Sequence, residues 1–379
     1  MDALRLLSGD VQAFVDKVWA SHVHVHHARP EDLAGLLDLD DVDHLLTGGG
    51  LRTPALRLAR DGTVLPASRF TRRATLAGSP MTGLVDERRV LDLFDEGATV
   101  VLQGLHRYWP PLADLVRDLE LALGHPCQAN AYLTPPGSQG FALHSDTHDV
   151  FVFQTHGTKL WEVHDESGPR EVPMQPGTSM YLPAGTPHAA RTQQTASLHV
   201  TVGINQVGWR PVLDRAVQTV LDRAATELRP DEPLPARYHH DPAELASELG
   251  RRLRLLADRL ATADPDELAA REAERFLTGR PAAVRGGLRD RLAVRSLADD
   301  SLLRRRPHSV CRLVPAGHRL RVLLGDRELR VPAHLHDPLD HVRTHPELRP
   351  ADLAPWLDEQ SRLVLTRRLV VEGLLEVSG

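Results

Sequence analysis

The sequence predicts a mainly β domain of the sandwich or barrel type, lying between helical segments, with a small α+β module at the end of the chain. Three observations predict this arrangement. Between residues 98 and 206, short strand-like runs recur at close intervals and are separated by Gly/Pro turns, as in sandwiches and barrels. The residues before this region have mostly helical spacing. Helix start signals return after it, and a hairpin pattern follows near the C-terminus.

Length and composition narrow the class of protein. A chain of 379 residues predicts two or three domains, and 41% hydrophobic with 25% charged residues is typical of globular chains. No apolar run approaches the roughly 20 residues of a membrane span, and the first residues do not resemble a secretory signal. Only Cys127 and Cys311 occur, which excludes a disulfide framework or a zinc ribbon. We therefore predict a cytoplasmic protein.

The pattern divides the chain into four predicted parts: a helical N-terminal part over 1–97, a β barrel core over 98–210, a helical segment over 211–303 and a winged-helix-like module over 304–379. Any other small α+β domain remains an alternative for the last part. The strands predicted in the barrel core are Gln128–Leu133, Gly140–His144, Val150–Gln154, Lys159–His164, Ser179–Leu182 and Ala196–Val202.

The helical segment carries two start signals and one apolar stripe. Asp241 and Asp264 are each followed by Pro and, two residues later, by Glu, as at a helix N-terminus. The stripe follows the first signal at helical spacing and comprises Leu245, Leu249, Leu253, Leu256 and Leu260.

The residues that suggest chemistry begin with His144 and Asp146. Two residues apart in a strand, they share one face and can point together into a barrel. His188 follows a Gly/Pro turn and begins a predicted strand. Two histidines and one carboxylate on one face of a metal leave positions open, which suits non-haem Fe(II) oxygenases. A His-x-Asp pair is weak evidence by itself, and His148, on the same predicted strand face, is a rival ligand or a pocket residue.

Lys159 is one of only two lysines among 45 basic residues, and it opens a strand after the turn at Gly157. If it points into the barrel, it needs an anion, since an unpaired buried ammonium is costly. We predict that the carboxylate of a cosubstrate is that anion. The alternative is an exposed lysine in the turn.

Two further strands place polar side chains together. Ser197, His199 and Thr201 share one strand face and predict the wall of a polar pocket, with Ser197 as a cofactor-binding residue; an ordinary half-exposed strand is the alternative. Asn130 and Tyr132 also point the same way and offer hydrogen-bond donors to a ligand.

Three segments carry a family resemblance. They are residues 130–146 (NAYLTPPGSQGFALHSD), 157–163 (GTKLWEV) and 175–188 (QPGTSMYLPAGTPH). They resemble the JmjC-type cupins of the ribosomal oxygenase family, densely over residues 98–206. The order of the later parts resembles the helical dimerisation domain and winged-helix domain of that family. The resemblance implies a double-stranded β-helix, or jelly-roll, fold and a homodimer.

The family members are Fe(II)- and 2-oxoglutarate-dependent dioxygenases that hydroxylate protein side chains. By resemblance, His144, Asp146 and His188 bind iron, Lys159 and Tyr132 bind 2-oxoglutarate, and Asn130 lies beside the metal. The implied reaction couples side-chain hydroxylation by dioxygen to oxidative decarboxylation of 2-oxoglutarate. The substrate expected is a ribosomal protein, at a histidine or an arginine; a natural-product peptide is another option. A lysine at 159, where bacterial members can carry arginine, favours the histidine-hydroxylating branch.

Two other classes of function remain open. Metal-binding cupin isomerases more often carry His-x-His with a glutamate, a pattern not found in this sequence. A non-catalytic regulator would use the winged-helix-like end to bind DNA, with Arg304–Arg306 as its basic cluster, although the net charge of −6 disfavours an extensive nucleic-acid surface.

Overall fold

The computed structural model of the protein describes residues 2–138, 142–192, 194–240 and 242–378. The chain forms two units, Met1–Gln206 and Val207–Gly379. The division between them lies four residues before the predicted end of the barrel core at 210. The finer division into four parts stays a prediction.

The first unit combines a large antiparallel sheet, two smaller sheets and several helices. Its helices are α1 (Ala3–Ser8), α2 (Val11–Lys17), α3 (Pro30–Ala34), α4 (Leu39–Thr47), α5 (Glu87–Asp95) and α6 (Pro110–Leu123). Its strands are β1 (His24–His27), β2 (Leu56–Arg60), β3 (Thr63–Val64), β4 (Thr71–Leu76), β5 (Ser79–Val85), β6 (Thr99–Leu102), β7 (Cys127–Thr134), β8 (Asp149–His156), β9 (Lys159–Asp165), β10 (Gly168–Met174), β11 (Thr178–Leu182), β12 (His188–Thr192) and β13 (Ser197–Ile204).

Two of the sheets build the jelly roll. The larger has the order β1-β11-β8-β13-β7-β6-β2-β3, and the smaller has the order β10-β9-β12. Strand β8 has four consecutive apolar side chains, Val150 to Phe153, because both of its faces are covered there. Val150 and Val152 belong to a core with residues of β9, β10 and β11, whereas Phe151 and Phe153 belong to a second core on the other face.

The second core is the larger one, and helices α1, α2 and α6 contribute to it. Phe14 of α2 lies with its ring 5.4 Å from that of Phe151 and 4.9 Å from that of Tyr181, centroid to centroid. Leu198, Val200 and the later apolar residues of β13 join the same core. This packing leaves the opposite face of β13, with its polar residues, directed away from the helices.

Two sequence expectations for this unit need correction. The part over 1–97 is not only helical, because β1 to β5 lie within it. Strand β1 is short and polar and pairs with the distant Thr178–Tyr181, so no local pattern marks it. The predicted strand Gly140–His144 lies partly outside the described residues, and from residue 142 onward only an isolated bridge at His144 forms.

The second unit begins with helices and ends with small sheets. Its helices are α7 (Trp209–Arg223), α8 (Ala225–Leu228), α9 (Pro242–Ala261), α10 (Pro265–Thr278), α11 (Gly287–Ala293), α12 (His336–Thr344) and α13 (Glu359–Val371). Its strands are β14 (Leu303–Arg305), β15 (Arg312–Ala316), β16 (Arg319–Leu324), β17 (Arg327–Pro332), β18 (Glu347–Leu348) and β19 (Leu375–Val377), in sheets ordered β18-β14-β19 and β15-β16-β17.

The structure agrees with several expectations for this unit. Asp264 caps α10 by accepting a hydrogen bond from the Asp266 N–H, and the hairpin forms between β16 and β17. The Asp241 cap lies outside the described residues. The winged-helix assignment stays a prediction. Among the helices of the described residues, none has the length and apolar character needed to cross a membrane.

Candidate active site

Three candidate metal ligands lie together at one end of the jelly roll. His144, Asp146 and His188 each offer a ligand atom, and these atoms lie within 4.8 Å of one another. Asp146 is central: its two carboxylate oxygens lie 4.0 Å from His144 Nε2 and 3.8 Å from His188 Nε2. His188 is buried, and the other two are partly exposed. Two imidazoles and one carboxylate on one side of a point fit an Fe(II) ion with further positions open.

Hydrogen bonds orient both imidazoles toward this point. His144 Nδ1 lies 2.9 Å from the carbonyl oxygen of Ala142, and His188 Nδ1 lies 3.0 Å from that of Thr186. Because a carbonyl only accepts, Nδ1 carries the proton in each ring, and Nε2 has its lone pair for a metal. Burial also lowers the pKa of His188, which favours the neutral form that a metal requires.

The ligands do not meet through the regular strand that the sequence predicts. Asp146 lies in a loop after the His144 bridge, and its carbonyl accepts a hydrogen bond of 2.8 Å from the Gly185 N–H. Gly185 has a left-handed φ of 82°, a conformation that favours glycine. His188 begins β12, as predicted. The two loops therefore bring the ligands together through main-chain bonds rather than through the pleat of a strand.

A cavity of about 230 Å³ extends from the ligands between the two sheets. Both sheets contribute to its wall. The described residues that line it are Arg57, Ala59, Gly62, Thr99, Tyr132, Thr134, His144, Asp146, Val150, Val152, Lys159, Trp161, His188, Ala190, His199 and Thr201.

Lys159 lies inside this cavity rather than in an exposed turn, and its relative exposure is 3%. Its Nζ donates to Thr134 Oγ1 at 3.2 Å, and Thr99 Oγ1 donates to the same hydroxyl. Burial lowers the pKa of Lys159 to about 7. An ammonium in such a place is stabilised by an anion, so the wall around Lys159 fits a ligand carboxylate.

Tyr132 and His199 form a second polar wall. Their rings stack at 4.9 Å with an interplanar angle of 2°. Burial raises the pKa of Tyr132, so its hydroxyl stays protonated, and it hydrogen-bonds Arg57 and Thr201. Burial, and then the charge of Lys159, hold the pKa of His199 well below its ordinary value. His199 is therefore neutral, with one nitrogen that can donate and one that can accept.

Two buried polar atoms on cavity-lining side chains support a polar ligand. Trp161 Nε1 and His199 Nδ1 are inaccessible and have no hydrogen-bond partner among the described residues. Buried polar groups in native proteins nearly always have a partner. Trp161 also packs near the metal site, with its ring 5.7 Å from that of His188. The cavity thus fits a ligand that supplies polar atoms.

The remaining predicted residues lie near the cavity without lining it. Asn130 Oδ1 accepts a hydrogen bond from the Gly104 N–H at 3.0 Å, and Ser197 Oγ accepts one from Gln154 Nε2 at 2.9 Å. Their roles toward a cofactor stay predictions. His148 packs against Gly203, and it is not in the cluster of candidate ligands.

Sequence reasoning missed four cavity residues that carry polar atoms: Arg57, Thr99, Thr134 and Trp161. Thr134 lies two residues after Tyr132 on the same strand face, so its position was available from the alternation. Trp161 has the same relationship to Lys159. Arg57 lies between the buried Leu56 and Leu58 of β2, and this alternation was the only local signal for it.

Comparisons with known proteins agree with this geometry. The family model of the JmjC domain matches residues 112–173, a stretch that includes His144, Asp146 and Lys159 and ends before His188. The bifunctional lysine-specific demethylase and histidyl-hydroxylase NO66 of Branchiostoma floridae is 35% identical over 140 residues, which cover 36% of this chain and 23% of that protein. Ribosomal oxygenase 2 of Mus musculus is 30% identical over 193 residues, which cover 45% of this chain and 42% of that protein. The chain thus matches less than half the length of these relatives.

Solved structures extend the likeness over nearly the whole chain. A crystal structure of the Escherichia coli ribosomal oxygenase YcfD matches 98% of this chain and 99% of that chain, with a TM-score of 0.56 and 17% identity. A second structure of YcfD, in complex with cobalt and 2-oxoglutarate, matches with a TM-score of 0.55 and 18% identity. The chain therefore contains a JmjC domain and has the cupin fold of the ribosomal oxygenases, the family that its motifs resemble.

Proposed function

We propose that this chain is an Fe(II)- and 2-oxoglutarate-dependent dioxygenase that hydroxylates a side chain of a protein or peptide substrate. The observation that carries the proposal is the position of the His144, Asp146 and His188 cluster at a cavity whose wall includes the buried ammonium of Lys159. When bound, Fe(II) and 2-oxoglutarate supply the means to use dioxygen for the insertion of one oxygen atom into a carbon–hydrogen bond.

The residues of the chain have distinct tasks in this proposal. His144 and His188, through Nε2, and Asp146, through its carboxylate, hold the iron. Lys159 pairs with the distal carboxylate of 2-oxoglutarate, and Tyr132 donates a hydrogen bond to it. We keep Asn130 and Ser197 as residues that support the cofactor site through the hydrogen bonds described above.

The charges of the cavity support a dianionic cosubstrate. Among the described residues that line it, Asp146 is the only carboxylate, whereas Lys159 and Arg57 are cationic side chains. An Fe(II) ion adds two positive charges. A buried site with this surplus of positive charge is stabilised by an anion. Two carboxylates, one near the metal and one at Lys159, suit this distribution.

The substrate that we propose is a ribosomal protein, hydroxylated at a histidine or an arginine. The support is the identity of the relatives: a bifunctional demethylase and histidyl-hydroxylase and a ribosomal oxygenase are similar in sequence, and a ribosomal oxygenase is similar in fold. Lysine at 159 favours histidine over arginine, by the family resemblance. The partly exposed His144 and Asp146 leave the metal side of the cavity accessible to a substrate side chain.

We further propose that the chain is a cytoplasmic homodimer. Helix α9 carries three leucines of the predicted stripe on its surface, with relative exposures of 50% for Leu249, 55% for Leu253 and 37% for Leu260. Exposed apolar side chains at helical spacing are typical of an interface, and a two-fold pair of identical faces buries them.

Turnover and mass spectrometry test the proposed activity. The purified chain with Fe(II), 2-oxoglutarate and dioxygen is expected to release succinate, and His188→Ala is expected to release none. Ribosomal proteins from cells with and without the gene are then compared for the mass of one added oxygen. Absence of both succinate release and any such mass difference would contradict the proposal, and DNA binding that weakens with salt would favour the regulator instead.

A further inference from the structure

A buried carboxylate lies behind the metal cluster and does not line the cavity. Asp149 begins β8, three residues after Asp146, and its relative exposure is 1%. Its carboxylate accepts hydrogen bonds from three donors: the Tyr181 hydroxyl, the Ala184 N–H at 2.8 Å and Gln206 Nε2 at 2.7 Å. A buried carboxylate with this many donors is held firmly in place.

One of these donors belongs to the turn that leads to His188. Ala184 lies four residues before this ligand and next to Gly185, whose N–H donates to the carbonyl of Asp146. His188 in turn exchanges two main-chain hydrogen bonds with His144, of 2.8 and 3.0 Å. Hydrogen bonds therefore join the turn and His188 to the 144–149 segment at three places. Only one of the three involves a side chain, the Asp149 carboxylate, and the other two join main-chain atoms.

Asp149 is also held by two donors that lie outside the turn, Tyr181 and Gln206. The Tyr181 side chain is fully buried, and its hydroxyl, besides donating to Asp149, accepts a hydrogen bond of 2.9 Å from the Ala20 N–H. Gln206 lies just after β13. The carboxylate thus connects the turn to strand β11 and to the end of β13, two strands of the larger sheet of the jelly roll.

We propose that Asp149 is a positioning residue for the metal site. It holds the 183–187 turn in register with the 144–146 loop, so that the His188 imidazole meets the Asp146 carboxylate. This inference rests on the proposed function only in taking the three-residue cluster as a metal site. It assigns no contact between Asp149 and the metal, substrate or cosubstrate.

Cobalt(II) binding to the full chain tests this assignment without turnover. The visible absorbance of Co(II) is followed in titrations of the wild type, Asp149→Ala and Asp149→Asn. Asp149→Ala is expected to raise the Co(II) Kd by about 10- to 100-fold, the usual effect of losing a residue that orients metal ligands. The Co(II) Kd of Asp149→Asn is expected to lie between those of the wild type and Asp149→Ala, because the amide oxygen of Asn still accepts a hydrogen bond from the Ala184 N–H.

Two matched controls separate positioning from general stability. Tyr181→Phe and Gln206→Met each remove one donor to Asp149 and leave its bond to Ala184. Both are expected to lower the thermal midpoint and to bind Co(II) nearly as the wild type does. Hydrogen exchange gives a second readout: exchange at Ala184 and Gly185 is expected to be fastest in Asp149→Ala, intermediate in Asp149→Asn and unchanged in the two controls.

Each outcome has a definite meaning. An unchanged Co(II) Kd in a folded Asp149→Ala or in Asp149→Asn overturns the positioning role. If Asp149→Ala does not fold, by circular dichroism, the Asp149→Asn titration and exchange data decide the question. If the wild type binds Co(II) no more tightly than His188→Ala, the metal site itself is refuted, and this inference is refuted with it.

Discussion

His144 and His188 face each other across an isolated antiparallel bridge. The main-chain N–H of each donates to the carbonyl of the other, at 3.0 and 2.8 Å, and their rings lie 4.5 Å apart. This bridge joins residues that are 44 positions apart in the chain and places their imidazoles on one side. Main-chain hydrogen bonds thus join the two segments that carry the metal ligands. The geometry of the metal cluster therefore depends on both segments.

Removal of any one of the three ligands is expected to abolish Fe(II)-dependent turnover while the fold remains. The variants are His144→Ala, Asp146→Ala and His188→Ala, because a site with three protein ligands has none to spare. Succinate release measures turnover, and circular dichroism checks the fold. His148→Ala is the matched control and should keep activity. Near-normal turnover in Asp146→Ala would instead make His148 the first alternative ligand.

Replacement of the buried lysine is expected to weaken 2-oxoglutarate binding and to leave metal binding unchanged. A charge-assisted hydrogen bond contributes about 1.5–3 kcal/mol, so Lys159→Met should raise the Kd by roughly 10- to 150-fold. The Kd of Lys159→Arg should lie between those of the wild type and Lys159→Met, because the charge stays but the planar guanidinium needs a cavity of different shape. The charge-transfer absorbance of the anaerobic Fe(II) enzyme reports the affinity. An unaltered Kd in Lys159→Met would contradict the assigned role.

The affinity for 2-oxoglutarate is expected to fall as the pH rises above about 7. Burial lowers the pKa of Lys159 to about 7, and only its ammonium form pairs with a carboxylate. A bound carboxylate favours that form, so the pKa rises on binding and a proton is taken up above pH 7. Because binding takes up one proton, the affinity for 2-oxoglutarate falls by about tenfold per pH unit. Titrations between pH 7 and 8.5 measure it, and the slope should disappear in Lys159→Met.

A methyl group at position 203 is expected to disturb His148. A Cβ on Gly203 would lie 2.6 Å from His148 Nε2, closer than such contacts normally are. Overpacking of this kind costs about 1–3 kcal/mol, so Gly203→Ala should lower the free energy of unfolding by that amount. Urea denaturation measures the change. In the double variant Gly203→Ala/His148→Ala, most of the lost free energy of unfolding should be recovered. An equal loss in the single and the double variant would show that the strain does not arise at His148.

The intact chain is expected to have about twice the 41.9 kDa monomer mass in light scattering. Leu253→Glu should shift it to the monomer, because a charge in an apolar interface has no partner there. Leu288→Glu is the matched control: Leu288 is 85% exposed but lies on α11, outside the stripe. A wild-type chain that is monomeric at micromolar concentration would refute the dimer.

The sequence was sufficient to predict strands β7, β8, β9, β11 and β13 of the jelly roll and the identity of the candidate ligands. Strand β13 illustrates why: Leu198 and Val200 alternate with His199 and Thr201, and the structure buries the first pair among helices and places the second at the cavity. Alternate residues of a strand lie on opposite faces, so only one orientation of β13 places its apolar residues in the core and its polar residues at the cavity. Strand β1 is too short and polar to show such a period, and it depends on its distant partner β11.

Side-chain chemistry is local, so the sequence by itself named His144, Asp146 and His188 as candidate metal ligands, with His148 as a rival, and Lys159 as a candidate partner for an anion. The tertiary structure alone decided how they come together. Asp146 reaches the two histidines from a loop, and the fastening by Asp149 and Tyr181 follows from contacts between segments that lie 32 residues apart. Such contacts depend on how the sheets and helices pack, and no periodicity within one segment encodes them.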